Sequence, residues 1–202
     1  MEVGSSRRER AEETEQALKA AARQLFAERG YLNTKITDIT AAAGRAAGSF
    51  YNHFAGKEDL LRALMADLGA AGDEQAGHTD HNPDFSDPEA VRFHLAAFWQ
   101  FAREHAVVLR AVNQAALVNE EFGREMAQFG ADQRLDIADH LDGLVAKGLR
   151  LPSTPDASLA MIFLLAQGLH TAVDEGSLEL TDTEAVEGLT RFVYRGLTGR
   201  DY

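Results

Sequence analysis

Apolar residues recur at three- and four-residue spacing in segment after segment of this chain, and nowhere do they alternate with polar ones. That period puts one apolar stripe on a helix, whereas strand pairing needs a period of two, so the chain can only build its core from packed helices. Ala17, Leu18, Ala21, Ala22, Leu25 and Phe26 make the first stripe, which Gly30 ends as a C-terminal cap. Two short helical stretches follow, over about 36–43 and 46–52, with only a turn around Gly44 and Arg45 between them. Leu60, Leu61, Leu64, Met65 and Leu68 mark a longer helix from Lys57 to about Gly72, and residues 73–86 read as a polar loop.

Beyond that loop, Asp87-Pro88-Glu89 supplies an N-cap, a first-turn proline and first-turn acid for a helix to about Glu104 or His105. Further helices are expected over about 107–117, as one long element over 119–147 stopped by Gly148, from Thr154-Pro155-Asp156, and from the capping box Thr181-Asp182-Thr183-Glu184. The four prolines stand near helix starts or in loops, and no internal repeat is visible.

At 202 residues the chain holds one to two domains and ample core. With no cysteine there is no disulfide framework, thiolate metal site or cysteine nucleophile. A charged N-terminus and apolar runs broken by such residues as Gln167 and Gly168 predict neither a signal peptide nor a membrane span, hence a cytoplasmic protein. The net charge of −12 argues against nucleic acid until it is divided at Lys57. Residues 1–57 then carry +2 and residues 58–202 carry −14, so one end of the molecule is able to meet a polyanion.

Two short helices joined by a tight turn and preceded by a supporting helix make a helix-turn-helix, whose second helix fits the major groove of DNA. Gly44 allows the sharp turn, Phe50 and Phe54 are spaced to pack the reading helix on its support, and Tyr51 and His53 offer a hydroxyl and an imidazole elsewhere. Leu25-Phe26-Ala27-Glu28-Arg29-Gly30-Tyr31, Thr34, Ile36, Asp38-Ile39, Ala43-Gly44 and, above all, Ser49-Phe50-Tyr51-Asn52-His53-Phe54 with Lys57-Glu58 resemble the TetR family of transcriptional regulators. The match covers residues 14–65 without insertion.

Residues 1–13 are polar without apolar periodicity and read as a disordered arm. The resemblance implies an all-α protein with an N-terminal three-helix DNA-binding domain over 14–57, followed by a larger helical-bundle ligand-binding and dimerisation domain over 58–202. It implies phosphate contacts at Ser49, Tyr51, His53 and Lys57, and base-edge contacts from Thr37, Arg45, Ala46 and Ala47. Lys35 stands where members commonly have a small hydroxyl residue and is able to hold a phosphate. Because Ala46 and Ala47 offer only apolar contact, specificity rests on Thr37, Arg45 and Asn52, with Arg45 on guanine the strongest option and Arg45 on the backbone or in solvent the alternative.

For the second domain the resemblance implies a small-molecule effector that shifts DNA affinity by binding two conformations differently. Residues of mixed chemistry nominate a pocket for an apolar or amphipathic ligand: Phe98, Trp99, Asn113, Gln114, Phe122, Met126, Gln167 and His170. The alternative reading takes the aromatics as core and the amides as surface or satisfied interior groups. Ala157 to Ala166 is apolar almost all round, so it is buried either deep in this chain or against a second one. With the closing helix it predicts a two-fold homodimer through the last two helices.

The close pair His78 and His81 lies in an acidic loop without further ligands and predicts no designed metal site. No serine elbow, zinc-protease motif or phosphate-cradling glycine loop is present, so no enzyme activity and no cofactor are expected. The reading is a ligand-responsive, sequence-specific DNA-binding regulator, a repressor of a palindromic operator; the alternative is a helical-bundle binding protein or enzyme whose N-terminal helices are only structural.

Overall fold

A computed structural model describes residues 6–76 and 82–201, with side chains described outside 70–81. Among the described residues every regular element is helical: α1 (Arg7–Arg29), α2 (Ile36–Ala42), α3 (Ala47–Phe50), α4 (Lys57–Ala76), α5 (Pro88–Glu104), α6 (Ala106–Val118), α7 (Glu120–Leu135), a 3-10 turn (Ala138–Leu141), α8 (Asp142–Ala146), α9 (Pro155–Asp174) and α10 (Asp182–Thr198). They form two compact units, one of residues 1–78 with 107–124, the other of 79–106 with 125–202.

The caps that the sequence announces are formed. Thr181 and Glu184 exchange main-chain hydrogen bonds at 2.9 and 3.2 Å, the Glu89 N–H donates to Asp87 at 3.0 Å, and the Ala157 N–H donates to Thr154 at 3.3 Å. Each satisfies helix-end donors that have no partner within the helix.

Four elements differ from expectation. The reading helix expected over 46–52 is α3, Ala47–Phe50, and residues 51–53 form a turn. The arm expected over 1–13 is helical from Arg7, because Ser6 and Glu9 form a capping box whose Ser-x-x-Glu signature is in the sequence. The fourth helix continues past Gly72 to Ala76, through Asp73-Glu74-Gln75, where Glu and Gln favour helix. The long element expected over 119–147 is broken at Ile137, whose φ of −117° and ψ of 16° leave the helical region. That break turns His140, Leu141 and Leu144 inward, and the Phe85 N–H donates to the His140 carbonyl at 3.1 Å. Burial of three side chains outweighs the few helical hydrogen bonds that a straight element would keep.

In the first unit, Leu18, Ala22, Leu25, Ile39, Phe50, Leu60, Leu61 and Leu64 are buried. Lys19, also buried, is bound at 3.0 Å to both Asp67 on α4 and Glu15, which meets the cost of taking an ammonium out of water. Burial lowers its pKa, but those two carboxylates outweigh it and leave the pKa raised.

The second unit packs α5 against α9 and α10 around Trp99, Leu95, Leu159, Leu189 and Val193. Gly143 sits so close to the Asp84 carboxylate that a β-carbon there would collide with it. Helix α9 is long and apolar enough to cross a membrane by length and composition, at a mean hydropathy of 1.3, although the sequence suggested no such segment. Gln167 and Gly168 interrupt its apolar run and lower the average, which still stands at 1.3 over the window. It packs on α5 and α10, yet only 22% of that apolar window is buried within the chain.

Candidate nucleic-acid interface

Helices α1, α2 and α3 are a supporting helix and a helix-turn-helix. Gly44, at φ +64°, makes the turn between α2 and α3, and the Arg45 N–H closes it on the Thr40 carbonyl at 2.9 Å. Phe50 and Phe54 are buried with ring centroids 5.4 Å apart, anchoring α3 from within. The other side of the pair faces solvent: Lys35, Thr37, Ala46, Ala47, Tyr51 and Asn52 are exposed, Tyr51 by 63%.

Of the four further site residues, Arg45, His53 and Lys57 have internal partners. Ser49 is half-buried. Arg45 lies 3.4 Å from Glu13, while its Nε is buried without a hydrogen-bond partner. His53 Nδ1 lies 3.9 Å from Glu15. Lys57 donates from Nζ to the Tyr31 and Thr34 carbonyls at 2.8 and 2.7 Å and sits 4.0 Å from the Tyr31 ring centroid. Burial lowers the Lys57 pKa, with Glu58 opposing.

Sequence reasoning missed these partners. Glu13 lies on the stretch expected to be disordered, and Glu15 is a half-buried polar position of a helix that had only its apolar stripe read. The Ser6-x-x-Glu9 box was the available signal for the first.

Tyr31 ties the turn after α1 to two other helices. Its hydroxyl donates to Glu58 at 2.8 Å, and its N–H donates to Gln114 on α6 at 2.9 Å. Burial, together with that carboxylate acceptor, holds the phenol well above its ordinary pKa. Gly30, at φ +79°, brings the backbone against the Gln114 amide.

The nominated ligand residues are not gathered at one place. Gln114 and the fully buried Phe122, whose ring centroid lies 5.5 Å from the Arg62 guanidinium, belong to the first unit. Asn113 and Gln167 are exposed, and Met126 is half-buried. Trp99 donates to Asp182 at 2.9 Å and stacks edge-on against His170 at 5.3 Å. Of the eight, Phe98 alone lines the apolar cavity of the second unit, about 40 Å³, with Phe85, His94, Leu95, Ile162 and Phe163 among its walls. The His78 and His81 pair lies outside the described residues.

A supporting helix and a turn-linked helix pair with solvent-facing polar groups define the fold of a DNA-reading head, and residues 18–64 match the family model for bacterial regulatory proteins of the tetR family. ArpR of Pseudomonas putida, described as a probable HTH-type transcriptional regulator, is 35% identical over 166 residues, 79% of this chain and 78% of its own. The chain belongs to the TetR family.

As a TetR-family protein it is a DNA-binding, ligand-responsive transcriptional regulator. The HTH-type transcriptional repressor DhaR of Mycobacterium sp. is 49% identical over 49 residues, 22% of this chain and 25% of DhaR, so that likeness spans a quarter of DhaR's length. The fold agrees along nearly the whole TetR-family chain: the fatty acid degradation regulator FadR from Bacillus halodurans superposes with a TM-score of 0.72 at 20% identity, covering 94% of this chain and 97% of that one.

Proposed function

We propose that the protein is a homodimeric repressor that binds a palindromic operator and leaves it when a small molecule binds the second unit. The observation that carries this reading is the division of the helix-turn-helix into a sealed side, Ile39, Phe50 and Phe54, and an exposed side holding Lys35, Thr37, Ala46, Ala47, Tyr51 and Asn52. Lys35, Ser49, Tyr51, His53 and Lys57 meet phosphates, and Thr37, Arg45, Ala46, Ala47 and Asn52 meet base edges. For Arg45 and His53 this requires exchanging Glu13 and Glu15 for DNA. The DNA-binding domain spans 14–57 and the effector and dimer domain 58–202.

The repressor sense is supported by DhaR, whose name gives it as a repressor. The dimer is supported by Met161 and Leu164 on α9 and Phe192 on α10, which are 50%, 68% and 69% exposed in the single chain. Large apolar side chains at that exposure form the kind of face a second copy covers.

The effector enters the apolar cavity beside Phe98. At about 40 Å³ that cavity holds two or three waters, so an apolar or amphipathic effector must push its walls apart. Binding therefore favours a conformation that differs from the one described, which is the condition for a ligand to shift DNA affinity.

The test is selection from a random duplex library at moderate salt, with a Tyr51→Ala, Lys57→Ala double variant as control. An inverted repeat recovered by the wild type and lost in the control is the expected result; no enriched sequence, with and without cell extract as an effector source, overturns the reading.

A further inference from the structure

Residues 6–13 are all exposed, yet the chain is helical from Arg7, so the first turns of α1 stand clear of the first unit's core as a preformed projection. Glu13 fixes where that projection starts. It lies 3.4 Å from Arg45, the residue just before the Ala46 cap of α3, beside the end of the reading helix that meets base edges in a helix-turn-helix.

The helical period then places two arginines. Arg10 stands one turn beyond Glu13 and Thr14, about 4.5 Å along the axis from Glu13 at 1.5 Å per residue. Arg7 stands a further turn out, about 9 Å from Glu13, in line with Leu18, Ala21 and Leu25, which are buried in the first unit.

The four carboxylates of the same stretch are occupied. Glu9 accepts the Ser6 N–H at 2.5 Å, Glu12 pairs with Arg8 at 2.8 Å, Glu13 with Arg45, and Glu15 with Lys19 at 3.0 Å. Arg7 and Arg10 are exposed and in no ion pair among the described residues. The projection therefore offers cationic groups although its acids equal or outnumber its bases.

We infer that Arg7 and Arg10 form a second DNA contact, on backbone phosphates that flank the bases met by α3. The inference rests on the DNA-reading role of the helix-turn-helix and extends it. Continuity with that surface, together with the sign of the charge, names duplex DNA as the occupant. Contacts of this kind carry no sequence information; they fix the register of the protein on the duplex and steepen the salt dependence of binding.

The experiment uses the full chain and a duplex of random sequence, since phosphate contacts need neither an operator nor its palindrome. Affinity is measured by fluorescence anisotropy over a salt series. Three proteins are compared: the wild type, Arg7→Gln with Arg10→Gln, and Arg150→Gln with Arg200→Gln, which removes the same charge from exposed positions of the second unit. Glutamine keeps a helix propensity close to that of arginine, and circular dichroism checks that α1 is intact.

The Arg7, Arg10 variant should bind at least tenfold more weakly at moderate salt, with the slope of log affinity against log salt lowered by roughly 1.8 per bound protomer, at about 0.9 for each of two phosphates. The Arg150, Arg200 variant should keep the wild-type slope. Library selection should recover the same bases with the Arg7, Arg10 variant as with the wild type, and hydroxyl-radical protection should be lost only outside them. An unchanged slope in the Arg7, Arg10 variant, while Tyr51→Ala weakens binding, overturns the second contact and leaves the reading head standing. Equal losses in the two double variants overturn it too, by making the effect one of net charge. Wild-type protein that binds no duplex removes the reading head and this contact together.

Discussion

Gln114 accepts a hydrogen bond from the Tyr31 main-chain N–H at 2.9 Å, joining α6 to the turn that leads into the helix-turn-helix across 83 positions of sequence. Gln114→Ala leaves that half-buried N–H without its acceptor and opens space against Gly30. A loss of about 1–3 kcal/mol is expected from an abandoned donor, read as a lower melting temperature. Gln114→Glu keeps an oxygen at the same reach and should lose less; equal losses in the two variants would show that the acceptor is not what matters.

Lys57 holds the Tyr31 and Thr34 carbonyls with one ammonium. Lys57→Met preserves the apolar stem and removes both bonds, and should cost about 1.5–3 kcal/mol in thermal unfolding, the range for a bond to a charged donor. If the remaining ammonium hydrogen also meets a phosphate, Lys57→Ala lowers the slope of log affinity against log salt by roughly 2 in a dimer, at about 0.9 per phosphate. Reduced stability with an unchanged slope would leave Lys57 structural only.

If Arg45 reads DNA as proposed, Glu13 competes with DNA for it. Glu13→Gln releases the guanidinium and should raise operator affinity by a factor of about five at most per half-site, because a pair this exposed is worth about 0–1 kcal/mol. Arg45→Ala should relax base preference at one position per half-site; uniformly weaker binding with unchanged preference in library selection would place Arg45 on the backbone.

Leu164 and Phe192 are apolar and exposed on α9 and α10. Leu164→Glu with Phe192→Glu buries charge in any two-fold contact through these helices, so sedimentation velocity should shift from dimer to monomer with helicity unchanged. A dimer persisting in the double variant would move the interface elsewhere.

Asp84 is held below its ordinary pKa of 3.8 by hydrogen bonds from the Ser86 hydroxyl and N–H, with Lys147 adding a 3.0 Å pair. A folded pKa below the unfolded one adds stability that is complete above the unfolded value and fades as pH falls through the folded one. Melting temperature should therefore drop below about pH 4, and Asp84→Asn should flatten that part of the profile while lowering the plateau at neutral pH. The same acid slope in Asp84→Asn would assign it to other carboxylates.

Sequence by itself determined the helices, their caps and the reading head, because those are local: a stripe repeats within two turns, a cap spans three residues, and Gly44 with Phe50 and Phe54 marks a turn and its anchors inside about ten positions. The solvent side of that head follows from the same period. What only the tertiary structure decided are bonds between distant positions: Lys57 with Tyr31 and Thr34, Arg45 with Glu13, Tyr31 with Gln114, and His94 with His140. No periodicity encodes them, since each depends on which faces of separate helices meet. The break at Ile137 belongs with them. Local propensity favours one straight helix there, and burial of His140, Leu141 and Leu144 overrides it, so the turn that brings His140 to His94 exists only once the second unit has packed.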